Sequence, residues 1–273
     1  MISVDTHIHT CYSHGKATPK EMYDAAVEKG IRVFGFSEHS ARPLSMSYPK
    51  EYREHLEAHW HTYIEQVKGL KENTDGVTVL LGIEMDWMEG NEEFIKEEIS
   101  KQDFDYVLCG IHFLEGWGFD YTKEDWEVLS YEEHAALYTT YYRTMIDMAK
   151  TELFDTIAHP DIIKIFSCDH FTKWIATSDA QALVRTALTA VRDAGMSMEI
   201  SSAGIRKLCQ EIYPGDTIME IASSLQLPIT FGSDAHSTTS VGFSFDKLEA
   251  HARRFGYTES VYFKNRKMHS RPF

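Results

Sequence analysis

The sequence predicts an α/β fold in which a parallel sheet closes into a barrel, and three observations predict it. Seven short apolar runs alternate with amphipathic helical patterns along 273 residues, the signature of strands joined by crossover helices. Histidine or carboxylate side chains stand where six of those seven runs end. A barrel brings the C-terminal ends of all its strands to one face, whereas an open, doubly wound sheet gathers its site at one switch point. Ligand-type residues on nearly every strand therefore favour the closed form.

Each element has its own signal. The first strand is expected over residues 2–7, closing on Asp5-Thr6-His7-Ile8-His9. A helix over 19–29 follows, with Pro19 near its start, where a missing N–H costs nothing, and Gly30 where a left-handed C-cap would sit. Strand two, 33–37, runs into Ser37-Glu38-His39, and a polar helix over 51–72 leads to strand three, 77–84, ending Gly82-Ile83-Glu84. A helix over 92–101 precedes strand four, 106–112, which ends at His112. Beyond it, residues 116–131 carry no clear pattern and read as loop or lid. A helix over 131–152 precedes strand five, 155–159, which runs into His159-Pro160-Asp161. A helix over 178–194, with Gly195 as its cap, precedes strand six, 197–201. A helix over 216–225 and strand seven, 228–232, bring in Gly232-Ser233-Asp234-Ala235-His236. A last helix, 245–255, precedes a short apolar tail expected to form a final strand at 260–263. No repeat or linker divides the chain, so residues 1–273 are expected to form one domain.

Composition narrows the class. A net charge of -15, from 42 acidic against 27 basic residues, argues against a nucleic-acid surface and suits a cationic substrate as well as plain solubility. The four cysteines, Cys11, Cys109, Cys168 and Cys209, make no C-x-x-C pair and read as reduced thiols. No apolar run approaches bilayer length, so the expectation is a cytoplasmic protein without membrane contact, either a monomer or a small homo-oligomer.

The chemistry lies in the strand ends. His7 and His9 are two apart and so share a face of their strand. Glu84 interrupts a buried-strand pattern with no basic residue near it in sequence, and a lone buried carboxylate is costly unless paired or metal-bound. Since a carboxylate can span two ions and an imidazole cannot, Glu84 is the natural bridge. Taken alone, His112 and His159 are each compatible with a satisfied core histidine, and His14 with a surface one. Together with His39, Asp234 and His236 they form a set that independent accident would not produce. Imidazole and carboxylate are ligands for zinc, iron and manganese alike.

At this point the chain resembles the PHP-domain (polymerase and histidinol phosphatase) family, in its stand-alone histidinol-phosphate phosphatase branch. The family motifs are matched by His7-Ile8-His9, Ser37-Glu38-His39, Glu84, His159 and Asp234-Ala235-His236. Branch-level likeness rests on Glu38-His39-Ser40-Ala41-Arg42-Pro43, Gly82 to Trp87, Ile111 to Asp120, Ala158 to Lys164 and Ser202 to Lys207. It runs from residue 3 to about residue 242. The resemblance implies a distorted (β/α)7, TIM-like barrel with three divalent ions (zinc, iron or manganese) at the C-terminal ends of the strands. It implies His7, His9, Glu84 and Asp234 at one ion, Glu84, His112 and His159 at a second, and His14, His39 and His236 at a third. The implied reaction is hydrolysis of L-histidinol phosphate, in histidine biosynthesis, by a metal-activated hydroxide.

Further residues are expected to meet the substrate. Arg206 is the first candidate for a phosphate clamp, because a guanidinium fork matches phosphate oxygens, and Arg42 and Lys164 are weaker ones. Asp161 or a metal-bound water would protonate the leaving alcohol, and Glu115, Trp117 and Asp120 form an acidic, aromatic loop for the cationic end. Two alternatives stand beside this reading: a PHP phosphoesterase for another small phosphate ester or nucleotide, and a metal-holding regulatory barrel without activity.

Overall fold

The computed structural model describes residues 1–43, 49–73 and 75–273. Its centre is seven parallel strands lying side by side in chain order: β1 (Val4–Asp5), β2 (Val33–Phe36), β3 (Thr78–Asp86), β4 (Tyr106–Gly110), β5 (Thr156–Ile157), β6 (Ser197–Ser201) and β7 (Ile229–Gly232). The first strand then meets the last. Thr6 N–H donates to Phe231 O at 3.1 Å and His9 N–H to Ala235 O at 2.9 Å, and Ile8 bridges Ala235 in parallel. The sheet is thus nearly closed into a barrel, as expected.

The crossovers are helical for local reasons. Pro19–Glu28 starts at Thr18, whose hydroxyl accepts from the Glu21 N–H while the Glu21 carboxylate accepts from Thr18, a complete capping box. Tyr131–Ala149 is started in the same way by Ser130 and Glu133. Gly30 and Gly195 take φ of 75° and 74°, the left-handed positions anticipated after their helices. Among the described residues no helix is long and apolar enough to cross a membrane.

The barrel interior is layered. At the N-terminal end Val4, Val33, Leu80 and Leu108 pack with Tyr106, and Val261 and Phe263 close the layer from below. The Tyr106 ring reaches inward past Gly35 and Gly82, where any Cβ would fall within 2.4 Å of the ring or its hydroxyl. Its hydroxyl lies 2.8 Å from Thr6 O and 3.0 Å from Phe36 O. Above that tyrosine the interior turns polar.

Three elements depart from the pattern read in sequence. The apolar tail does not add to the barrel; Glu259–Lys264 pairs antiparallel with Lys267–Pro272, and this hairpin plugs the N-terminal end. Residues Phe113–Leu114 and Trp117–Gly118 form a small hairpin whose two loop residues, Glu115 (φ 50°) and Gly116 (φ 83°), both take the positive φ that tight primed turns need. A helix over Cys168–Ile175, two turns long, went unread because so short a segment offers little periodicity; Phe171, Trp174 and Ile175 are its buried face.

Candidate metal centre

The nine expected ligands converge at the C-terminal mouth of the barrel, around Glu84. One carboxylate oxygen, Oε2, lies 3.3 Å from His7 Nε2 and 3.2 Å from His9 Nε2, and those two nitrogens are 3.1 Å apart. Asp234 Oδ1 closes this group at 3.4 Å from His9 Nε2. The other oxygen, Oε1, faces a different pair, His159 Nε2 at 3.1 Å and His112 Nε2 at 3.7 Å. Glu84 therefore presents one oxygen to each of two histidine sets. It sits inside β3 rather than at its end, because that strand runs on to Asp86.

A third set forms beside the first. Ligand atoms of His9, His39 and His236 all lie within 4.8 Å of one another. The resemblance had grouped His14 with His39 and His236 instead. The His14 ring does stack into the cluster, 4.2 Å from His236 and 4.9 Å from His39, but its Nδ1 lies 3.1 Å from the Tyr52 hydroxyl.

Carboxylates behind the histidines orient them. His7 Nδ1 contacts Glu199 Oε1 at 2.7 Å, and His112 Nδ1 contacts Asp86 Oδ1 at 2.6 Å, leaving Nε2 of each ring turned toward Glu84. Glu38 lies 3.9 Å from His9 Nδ1 and accepts from the Thr10 N–H and hydroxyl. Such partners fix tautomer and ring direction in metal sites. Glu199 was not read from sequence as functional. It comes from β6, the strand with no ligand at its end, and its other oxygen accepts the His159 N–H at 2.8 Å. A Cβ at Gly232 would fall 1.8 Å from Glu199 Oε1 and 2.7 Å from His7 Cβ, so only glycine admits this pairing. The visible signal was a lone glutamate in the apolar run Ser197-Met198-Glu199-Ile200.

Two of the expected ligands stand on strained backbone. His159 has φ of 27° and Asp234 of 49°, conformations that non-glycine residues adopt rarely and at a cost of order 1–3 kcal/mol each. The electrostatics match a cation-binding centre. Burial pushes the Glu84 carboxyl up, but His7 and His39 beside it prevail and hold it well below the usual carboxylate range. Burial pulls His9 down, but the Glu38 and Glu84 carboxylates facing it lift it to about 9; Asp86 does the same for His112. This buried ring of carboxylates attracts positive charge, which protons or metal ions can supply. The donors fit an ion: among the described residues His236 Nε2 is buried with no hydrogen-bond partner, and His39 Nδ1 faces Glu84 Oε2 at 3.2 Å without hydrogen-bond geometry.

The other predicted residues divide. Arg42 and Asp120 line a cleft of about 470 Å³ that opens onto Glu84, His39 and His236. Arg42 is held there by the Asp86 carboxylate and lies 4.8 Å over the Phe113 ring. Among the described residues Asp120 Oδ1 is buried without a hydrogen-bond partner. Lys207 and Tyr121, on exposed loops, and Tyr52, in the first turn of the helix Lys50–Leu70, also line the cleft and were missed, since single residues of these types carry no pattern.

The remaining five are corrected by position. Arg206 is not among the residues lining the cleft; its Nη2 donates to Ser233 O and Asp234 O, both at 2.8 Å, and so braces the loop that carries Asp234. Among the described residues its buried Nη1 has no hydrogen-bond partner. Asp161 and Lys164 are carried away by the short helix Ile162–Lys164 that follows the His159 turn. Lys164 Nζ lies 2.8 Å from Asp161 Oδ2 and 2.8 Å from Glu211 Oε2, and Asp161 also accepts the Gly215 N–H, all in a neighbouring cavity. Glu115 sits at the exposed tip of the small hairpin and lines a different cavity. Trp117 packs on Trp126 at 5.4 Å.

A nearly closed parallel barrel with this mouth defines a protein built to bind divalent metal ions at the C-terminal ends of its strands. The chain belongs to the PHP domain family, whose model matches residues 5–203. A "Probable histidinol-phosphatase" of Deinococcus radiodurans is 32% identical over 268 residues, covering 97% of each chain. The histidinol-phosphatase of Bacillus subtilis is 25% identical over 266 residues, 89% of this chain and 96% of that one. Histidinol phosphate phosphatase of Lactococcus lactis, crystallised with zinc, L-histidinol and phosphate, has the same fold, with a TM-score of 0.75 at 19% identity over 98% of both chains.

Proposed function

We propose that the chain is a metal-dependent phosphomonoesterase that hydrolyses L-histidinol phosphate to L-histidinol and phosphate, working with three divalent ions. The observation that carries the chemistry is Glu84, one oxygen facing His7 and His9 and the other His159 and His112. His7, His9, Glu84 and Asp234 would hold one ion, Glu84, His112 and His159 the second, and His39 and His236 the third, with His9 or His14 completing it. Bound there, the ions supply an acidified water as nucleophile and positive charge for the phosphate.

The chain's own residues do the positioning, which is most of the work in phosphoryl transfer. Glu199 and Asp86 hold His7 and His112 in register, and Arg206 fixes the Asp234 loop. Arg42 and Lys207 put positive charge on the cleft walls where phosphate oxygens would lie. Asp120, its Oδ1 lacking a donor, would accept from the ammonium or imidazole of the substrate. The choice of substrate leans on Asp120 in the cleft wall and on relatives named as histidinol-phosphatases.

The test is elemental analysis of the purified protein beside phosphate release from L-histidinol phosphate and p-nitrophenyl phosphate. Near three metals per chain, strong preference for histidinol phosphate, and loss of activity on chelation are expected. Three metals with weak, indiscriminate release would move the reading to another ester. Activity that survives complete metal removal would overturn it.

A further inference from the structure

The loop over residues 233–242 carries ligands for two of the proposed ions. Asp234 Oδ1 faces His9 Nε2 at 3.4 Å, and His236 groups with His9 and His39. Asp5, the last residue of β1, is 0% exposed and clasps that loop at its base. Its Oδ1 accepts the Ser233 N–H at 2.9 Å, and its Oδ2 accepts the Gly242 N–H at 3.1 Å. Arg206 grips the same stretch of backbone, its Nη2 donating to Ser233 O and Asp234 O. Ser233 is therefore held by an anion at its N–H and by a cation at its C=O.

Two physical costs meet at this clasp. Asp234 takes a left-handed φ of 49°, and Gly242 one of 58°. Left-handed backbone at a non-glycine residue persists only where the surroundings over-determine it. A carboxylate buried away from water is costly as well, unless its oxygens are hydrogen-bonded. Apolar side chains fill buried space without that cost, so packing alone does not call for a carboxylate here. Holding two backbone N–H groups does, because such charge-assisted bonds are roughly twice as strong as neutral ones. We propose that Asp5 is a positioning residue for the metal centre. By clasping both ends of the 233–242 loop, it aims the Asp234 carboxylate and the His236 ring at their ions. The inference rests on the metal centre of the proposed function and is independent of the substrate.

Asp5→Asn separates this role from simple packing. The amide keeps the shape of the carboxylate but offers one acceptor oxygen and an NH2 donor. One of the two loop N–H groups then loses its acceptor and meets a donor. Ions that use Asp234 or His236 should feel the loosened loop. The ion held by Glu84, His112 and His159 takes no ligand from this loop and should be spared.

The experiment titrates chelator-stripped, full-length protein with Co2+ against a competing chelator and records the visible absorption of the bound ion. In Asp5→Asn, binding of the ions that share the loop should weaken about 10–100-fold, the range found for groups that orient metal ligands. Their absorption bands should shift, while one ion stays bound at wild-type affinity and the metal-free protein melts close to wild type. Asp5→Ser, which keeps a smaller single acceptor, is the second variant should the amide fail to fold. Unchanged titration and absorption in a folded variant would overturn the proposal, and so would equal weakening of every ion. Failure of both variants to fold would assign Asp5 to the fold and overturn it too. Wild type that binds Co2+ yet leaves histidinol phosphate intact would sink the substrate reading and leave Asp5 in its role.

Discussion

The two ends of the barrel are built on opposite terms. At the C-terminal mouth, Glu84 and Asp234 are buried among seven histidines, His159 and Asp234 sit on left-handed backbone, and among the described residues several ring nitrogens lack hydrogen-bond partners. At the N-terminal end, Val4, Val33, Leu80 and Leu108 pack against Val261 and Phe263 of the terminal hairpin. Polar groups there are matched. Arg266 of the hairpin turn pairs with Asp155 at 2.5 Å, its N–H donates to Asp105 O, and Lys71 pairs with Asp105 at 2.5 Å. The difference teaches that one scaffold separates its tasks along its axis: the mouth forgoes packing and relaxed backbone for ligand geometry, while the plugged end supplies cohesion.

Substitutions at the two ends should therefore fail in different ways. The largest effect is expected for Glu84→Gln, which keeps shape but removes the charge shared by both histidine sets. Turnover should drop by about 10³-fold or more, the scale of losing a preorganised electrostatic group, and metal content should fall. Its melting temperature, measured after chelation, should stay close to wild type; a collapse there would show that the mouth also carries the fold.

At the opposite end, Phe263→Ala should cost about 3–5 kcal/mol in denaturant unfolding, as large buried aromatics do, with turnover per folded molecule unchanged. Reduced turnover in the folded fraction would break the separation between the ends. Glu199→Gln tests the layer between them. It should weaken metal binding about 10–100-fold in a competition titration through loss of the His7 contact, with a smaller change in stability. The smallest effect is expected for Asp120→Asn in the cleft: KM for histidinol phosphate up about tenfold, roughly 1.4 kcal/mol, with p-nitrophenyl phosphate unaffected. Equal loss on both esters would place Asp120 in folding of the loop rather than in recognition.

Most of the barrel was legible in the chain. Strand and helix order, Pro19 at its helix start, Gly30 and Gly195 at their caps, and the nine candidate ligand residues that converge at the mouth follow from signals that span a few residues. Strand periodicity, caps and strand ends are local, so local sequence encodes them. What failed was the direction of side chains after the strands end. Asp161 and Lys164 stand close behind His159 in sequence, yet one positive φ and a short helix turn them into another cavity. Arg206, read as a substrate clamp, became a brace for the backbone of Asp234.

The sequence by itself determined which residues could bind metal and that strand ends would gather them. Only the tertiary structure decided how they group: that Glu84 divides its oxygens between two histidine sets, that His9 approaches His39 and His236, and that Glu199 stands behind His7. Those pairings join strands many residues apart, and the stagger and closure of the whole barrel set their distances. Local periodicity carries no record of that geometry.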